Sequence, residues 1–150
     1  MKLSPKQLGD AGENHVLELL RAKGYEAEKL QKNAPTYDIR ASKNGSEFFV
    51  SVKVSREKQH VRLGTRRSVL RLEEGNFIFA FMPSVKGGEI TALAPSQYRL
   101  LILPAELARK DSLSIHDKYW DEKEKDKNGF SVMVKGYGSN HREIWPAWIE

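Results

Sequence analysis

The chain has 150 residues, 39% hydrophobic and 30% charged, with a formal net charge of +5. These values suit one globular domain over residues 1–150 and exclude a disordered chain; the basic balance favours a polyanionic partner. With no cysteine there is no disulfide, thiolate metal site or cysteine nucleophile, and no apolar run reaches the ~18 residues of a membrane span.

Ser4-Pro5-Lys6-Gln7 is a capping box with proline at the first helical position. It predicts a helix running to Lys23 and stopped by Gly24. Leu8, Ala11, Gly12, Val16, Leu17 and Leu20 form its buried stripe. At about 100° per residue, Glu13 falls close to the middle of Val16, Leu17 and Leu20. An inward acid needs a partner, because unpaired buried charge is costly. Gly9 and Gly12 weaken a helix by roughly 1 kcal/mol each relative to alanine, unless the helix must approach a sheet or a phosphate backbone closely. Residues 25–30 read as a short strand, followed by a polar loop through Pro35.

The next segment is a hairpin. Asn44-Gly45 between two strand-like runs signals a two-residue turn, since both residues tolerate positive φ. The register then pairs Lys43 with Ser46, Ala41 with Phe48 and Ile39 with Val50, and sets Asp38 opposite Ser51. By alternation, Tyr37, Ile39, Ala41, Phe48, Val50, Val52 and Val54 share an apolar face. Asp38, Arg40, Phe49, Ser51 and Lys53 share the other, where a carboxylate, a hydroxyl and an ammonium converge. The plain alternative is a cross-strand ion pair between Asp38 and Lys53, worth little if exposed.

Beyond it, residues 57–75 are basic, and Thr65 predicts the cap of a short helix containing Val69, Leu70 and Leu72. Residues 76–82 form a nearly continuous apolar run, the pattern of a central buried strand. Gly87-Gly88 predicts a turn into a strand at 90–94, residues 98–103 another strand, and Pro104 the start of a short helix. Residues 117–128 are densely charged and predict an exposed helix or loop; residues 130–135 predict a last strand, and Trp145 and Trp148 pack onto the domain. Strands interleaved with helices, one hairpin and one crossover give an α/β class with a mixed central sheet flanked by helices. The four histidines show no paired ligand spacing for zinc.

A helix carrying Gly12-Glu13, a strand carrying Asp38 and a following strand carrying Ser51-Val52-Lys53 resemble the PD-(D/E)xK nuclease superfamily, in its restriction-endonuclease-like and Holliday-junction-resolvase-like branches. The resemblance covers residues 9–56. It implies an αβββαβ core and phosphodiester hydrolysis of DNA with Mg²⁺ or Mn²⁺. Asp38, Glu13 and the Val52 carbonyl are then the metal ligands, and Lys53 orients the attacking water and stabilises the phosphorane. Ser51 stands where the pattern has an acidic or amide side chain, which removes one negative charge from the site. Pro35 is displaced from its usual place directly before the aspartate.

Arg56, Lys58, Arg62, Arg66 and Arg67 follow the lysine strand as candidate phosphate contacts, against the alternative of a solvated basic face. Three functions compete: a Mg²⁺-dependent endonuclease or resolvase; a catalytically inactive relative that binds nucleic acid; and an immunity or accessory module that binds a protein. A homodimer is expected by analogy with nucleases that cut two strands, and a cytoplasmic location from the missing signal-peptide core.

Overall fold

A computed structural model describes residues 2–32, 34–57, 60–116 and 130–133. Helix α1 (Pro5–Ala22) starts as its capping box dictates: Ser4 Oγ accepts from the Gln7 N–H at 3.1 Å, and Gln7 Oε1 accepts from the Ser4 N–H at 2.9 Å. Lys23 ends it, and Gly24 takes φ +90°, which a glycine adopts without strain. Strands β1 (Glu26–Lys29), β2 (Ile39–Lys43) and β3 (Ser46–Val54) form a meander. Asn44 and Gly45 have φ 52° and 83°. Lys43 pairs with Ser46, Ala41 with Phe48 and Ile39 with Val50, the register the turn chemistry predicts.

The chain continues through β4 (His60–Gly64), α2 (Arg66–Leu70), β5 (Phe77–Pro83), β6 (Tyr98–Pro104), α3 (Ala105–His116) and β7 (Phe130–Met133). The main sheet has the order β1-β2-β3-β5-β6 and is mixed: β3 and β5 are parallel, the other pairs antiparallel. Strands β4 and β7 pair separately. The crossover from β3 to β5 carries β4 and α2, so the order α1-β1-β2-β3-α2-β5 is the expected αβββαβ core with β4 inserted.

Two apolar clusters sandwich the sheet. Ile39, Val50, Phe79 and Phe81 pack under Leu8, Val16, Leu17 and Leu20 of α1. On the opposite face, Ile78, Ala80 and Met82 meet Val61 and Leu63 of β4, Val69 of α2 and Ala108 of α3. Strand β5 is therefore buried along its whole length, which is why its sequence reads as an unbroken apolar run.

Three expectations are corrected. Strand β4 lies inside the basic stretch and was not foreseen; Val61 and Leu63 are buried around exposed Arg62, an alternation masked by the surrounding arginines. Residues 90–94 form no strand: the buried Ile90 donates its N–H to the Arg56 carbonyl, and Leu93 takes φ 55°, which breaks an extended run. Tyr37 packs with the second cluster rather than the face of Ile39, because β2 starts only at Ile39 and alternation does not extend back to it. Strand β7 is described over Phe130–Met133, within the predicted 130–135, and residues 134 and 135 lie outside the described residues. Residues 117–128, Trp120, Trp145 and Trp148 lie outside the described residues. No helix among the described residues is long and apolar enough to cross a membrane.

The two helical glycines differ. A Cβ at Gly12 would meet Val54 Cγ2 at 3.0 Å, Val52 Cγ1 at 3.3 Å and Phe81 Cε2 at 3.4 Å, whereas one at Gly9 would meet nothing within 4 Å. Gly12 thus lets α1 lie directly on β3 and β5, and Gly9 has no such duty. Urea denaturation checks this: Gly12→Val is expected to destabilise by about 1–3 kcal/mol through overpacking, and Gly9→Ala to stabilise by up to about 1 kcal/mol.

Candidate active site

Because β2 begins at Ile39, β3 loses its neighbour on that side beyond Val50. Asp38 closes the gap. Its N–H donates to the Val50 carbonyl at 2.8 Å, its own carbonyl accepts from the Leu30 N–H at 2.8 Å, and Oδ2 accepts from the Val52 N–H at 2.7 Å. Backbone N–H groups of a strand point along the sheet plane toward its neighbour. The carboxylate therefore sits in that plane, in the place a strand would occupy. The Val52 carbonyl opens into the same gap, since a strand residue's N–H and C=O point the same way. Asp38 is thus not a ladder partner of Ser51, as the extended register would have it. The chain turns sharply just before it: Thr36 has φ 69°, and the Tyr37 N–H returns to the Pro35 carbonyl at 2.7 Å. A β-branched residue at positive φ is a true outlier that its surroundings must hold in place. Here the Thr36 hydroxyl donates to the Ser68 carbonyl of α2 at 3.1 Å.

Ser51 and Lys53 lie on the sheet face away from α1. They line a cavity of about 190 Å³ with Asp38, Thr36 and Ser68, walled by Leu63, Leu72 and Ile78. Burial in this apolar-walled space pushes the Lys53 ammonium below its ordinary pKa, and attraction to Asp38 opposes that only partly. Burial likewise raises the Asp38 carboxyl, against the lowering effects of the Val52 N–H and of Lys53. The ion pairs Lys2–Glu89, Arg40 with Glu28 and Glu47, and Arg56–Glu57 lie elsewhere. The simple cross-strand ion pair is absent among them. Ser51 is 1% exposed.

Glu13 is half-buried on α1. Its carboxyl is raised first by burial and then by the charge of Asp38, while Lys29 opposes. The helix and the hairpin thus bring two carboxylates into each other's field, with Lys53 across the sheet plane. Among the described residues no three His, Cys, Asp or Glu side chains form a metal cluster. The donors present are two carboxylates and a backbone carbonyl: hard oxygens, of the kind and number that bind Mg²⁺ alongside retained waters and substrate phosphate. A carboxyl raised partly by the charge of a neighbouring carboxylate is also a natural seat for a cation. The residues fit such an ion, with Ser51 contributing no charge.

Of the candidate phosphate contacts, Arg56 and Arg62 line a second cavity at the end of β3. Arg66 is half-buried and Arg67 exposed, both on α2 away from that cavity. Lys58 lies outside the described residues. Phe49 is half-buried against the Tyr37 ring, with centroids 5.8 Å apart. Thr36 and Ser68 were missed as site-lining residues. The cap at Thr65 placed α2 correctly, so Ser68 was within reach of the sequence; nothing in the periodicity marks Thr36.

No family model matches the sequence, and no curated protein matches it. Among solved structures, Hjc, a Holliday junction resolvase from the hyperthermophilic archaeon Archaeoglobus fulgidus, superposes with a TM-score of 0.53 over 86% of each chain at 16% identity. The chain has a restriction-endonuclease-like fold. The bacterial homing endonuclease I-Ssp6803I is similar at a TM-score of 0.44 and 15% identity, over 71% of this chain and 69% of its own. In this fold, the element order carrying Glu13, Asp38 and Lys53 is α1, the start of the β2–β3 hairpin, and β3.

The raised Glu13 carboxyl has a definite consequence for stability. The folded state holds this proton more tightly than the unfolded chain, so Glu13 favours folding below about pH 4.3 and loses that contribution as pH rises through the folded value. Glu13→Gln is therefore expected to raise the urea midpoint at pH 7, with the gain shrinking toward pH 4. A lower midpoint at pH 7 would mean that a favourable contact holds the charged form.

Proposed function

We propose that the chain is a metal-dependent nuclease that hydrolyses phosphodiester bonds of DNA, as an endonuclease or a junction-resolving enzyme. One observation carries this reading: the Val52 N–H fixes the Asp38 carboxylate in the sheet plane at 2.7 Å, between Glu13 and Lys53. The fold of Hjc supports it. Asp38, Glu13 and the Val52 carbonyl would hold Mg²⁺ or Mn²⁺. When bound, such an ion lowers the pKa of a coordinated water and neutralises developing charge. Lys53 supplies an ammonium on a strand, in a partly enclosed cavity, where its charge would act on a phosphate entering a pentacoordinate state. Leu63, Leu72 and Ile78 supply the apolar part of its walls. Cleavage of both strands of a duplex would call for two copies of the chain, and a homodimer is part of this reading.

Ser51 favours a second reading. A buried neutral hydroxyl is a poor cation ligand, and a chain that keeps the fold without the charge would bind nucleic acid, or a protein partner, without cutting.

Incubation with duplex, single-stranded and four-way-junction DNA, with Mg²⁺, Mn²⁺ or chelator, separates the two. Cleavage is expected with metal and not with chelator, and Asp38→Ala and Lys53→Ala should each reduce it roughly 100-fold or more. Cleavage that survives both substitutions sinks the site. If wild type is inert, Ser51→Glu decides: gained cleavage identifies a site short of one carboxylate, and continued inertness favours the binding protein.

A further inference from the structure

The end of β3 carries a second cavity, of about 270 Å³, lined by Val54, Ser55, Arg56, Glu57, His60 and Arg62. Its frame is fixed at several points. The Ser55 N–H donates to the Phe81 carbonyl at 2.8 Å, and the Ser55 hydroxyl to the His60 carbonyl at 2.7 Å, tying β3 to β5 and β4. The Ile90 N–H donates to the Arg56 carbonyl at 2.8 Å. The two guanidinium-bearing residues are thus presented from anchored backbone. Arg56 Nη2 meets Glu57 at 3.4 Å, and both side chains are substantially exposed. An exposed pair of this kind is worth little, and a phosphate oxygen would compete for the same guanidinium with better fork geometry.

We propose that this cavity is a phosphodiester-binding subsite, in which Arg56, Arg62 and His60 take one backbone phosphate of a bound polynucleotide and Glu57 gives up Arg56 as it enters. The inference rests on the nuclease reading for the course of the strand, and its chemistry stands apart from the cutting site. Among the described residues the lining is charged, polar or aliphatic, the chemistry that contacts backbone phosphate rather than base edges. Arg56 follows Lys53 by three residues, roughly 10 Å along a strand. The cavity has room for a phosphate and for bridging waters, each occupying about 30 Å³.

The test is fluorescence anisotropy of a labelled DNA duplex with the full chain in chelator, titrated between roughly 50 and 200 mM salt. Arg62→Gln and Arg56→Gln are each expected to weaken binding severalfold and to reduce the slope of log affinity against log salt by about 1. Glu57→Gln is expected to tighten binding, since it frees Arg56. Lys43→Gln, at the far tip of the hairpin some nine residues or ~30 Å along β3, should leave the slope unchanged. Unfolding midpoints of all four variants report whether they fold. Folded Arg56 and Arg62 variants with wild-type slopes overturn the subsite, as does weaker binding in Glu57→Gln or a wild type that binds no duplex. Cleavage with metal is scored separately: altered slopes without cleavage sustain the subsite and defeat the nuclease reading, while cleavage with unaltered slopes does the reverse.

Discussion

Everything distinctive about this chain follows from where β2 begins. Had it extended two residues further back, the Val52 N–H would have paired with backbone and the sheet would be ordinary there. Because β2 starts at Ile39, that N–H is left for a side chain, and Asp38 takes it. A buried amide without a partner costs on the order of 1–3 kcal/mol, so the carboxylate is held by the same requirement that makes sheets cohere. This fixes a charge in the one direction accessible from both faces. Glu13 feels its charge from the α1 side, and Lys53 from the other.

Holding the chain in that bend takes more than one bond. The positive φ at Thr36 costs on the order of 1–3 kcal/mol, and the crossover supplies the restraint. The Tyr37 hydroxyl donates to the Arg71 carbonyl at 3.1 Å and accepts from the Glu73 N–H at 3.0 Å and Asn76 Nδ2 at 3.3 Å. Asn76 in turn accepts the Phe49 N–H at 2.8 Å through Oδ1 and the Ala105 N–H at 2.9 Å through its carbonyl. One asparagine thus joins β3, the bend and the start of α3. The segment between β3 and β5 has two tasks: β4 and α2 roof the lysine side of the sheet, and the turn after α2 clamps the residues preceding Asp38.

The parts of this architecture legible in the sequence are those governed by local chemistry. The capping box at Ser4, the Asn44-Gly45 turn and the apolar run of β5 each depend on neighbours in sequence, and each lies where expected. The hairpin register put Ser51 and Lys53 on one face without reference to anything distant. What escaped depends on long-range contacts. Strand β4 pairs with β7, some seventy residues later, and its short alternation is drowned by arginines selected for the surface. The site of Asp38 was foreseen but its partner was not: alternation points it at Ser51, whereas the γ-type turn at Thr36 sends it to an amide. Residues 90–94 have strand-like composition, yet Ile90 is drawn to the Arg56 carbonyl and Leu93 takes φ 55°.

The remaining tension lies in the charges. Burial raises both Asp38 and Glu13 and lowers Lys53, so each charged group of the site is opposed by its surroundings. Such a site weakens the fold that carries it, the usual relation between stability and function. A carboxylate at position 51 would deepen that conflict, since the position is 1% exposed and would add a third negative charge beside two already repelling each other. Serine relieves the fold of that burden. It also removes the charge that would most strengthen the hold on a divalent cation. Two carboxylates and one carbonyl still match the habit of Mg²⁺, which keeps several waters and takes further oxygens from the substrate phosphate. On the nuclease reading proposed above, Ser51 would make cation and polynucleotide bind together, each completing the site for the other. On that reading, weight falls on contacts outside the site, which would hold the strand while the cation is loosely bound. The anchored arginines at the end of β3 are the part of the structure best placed to supply them.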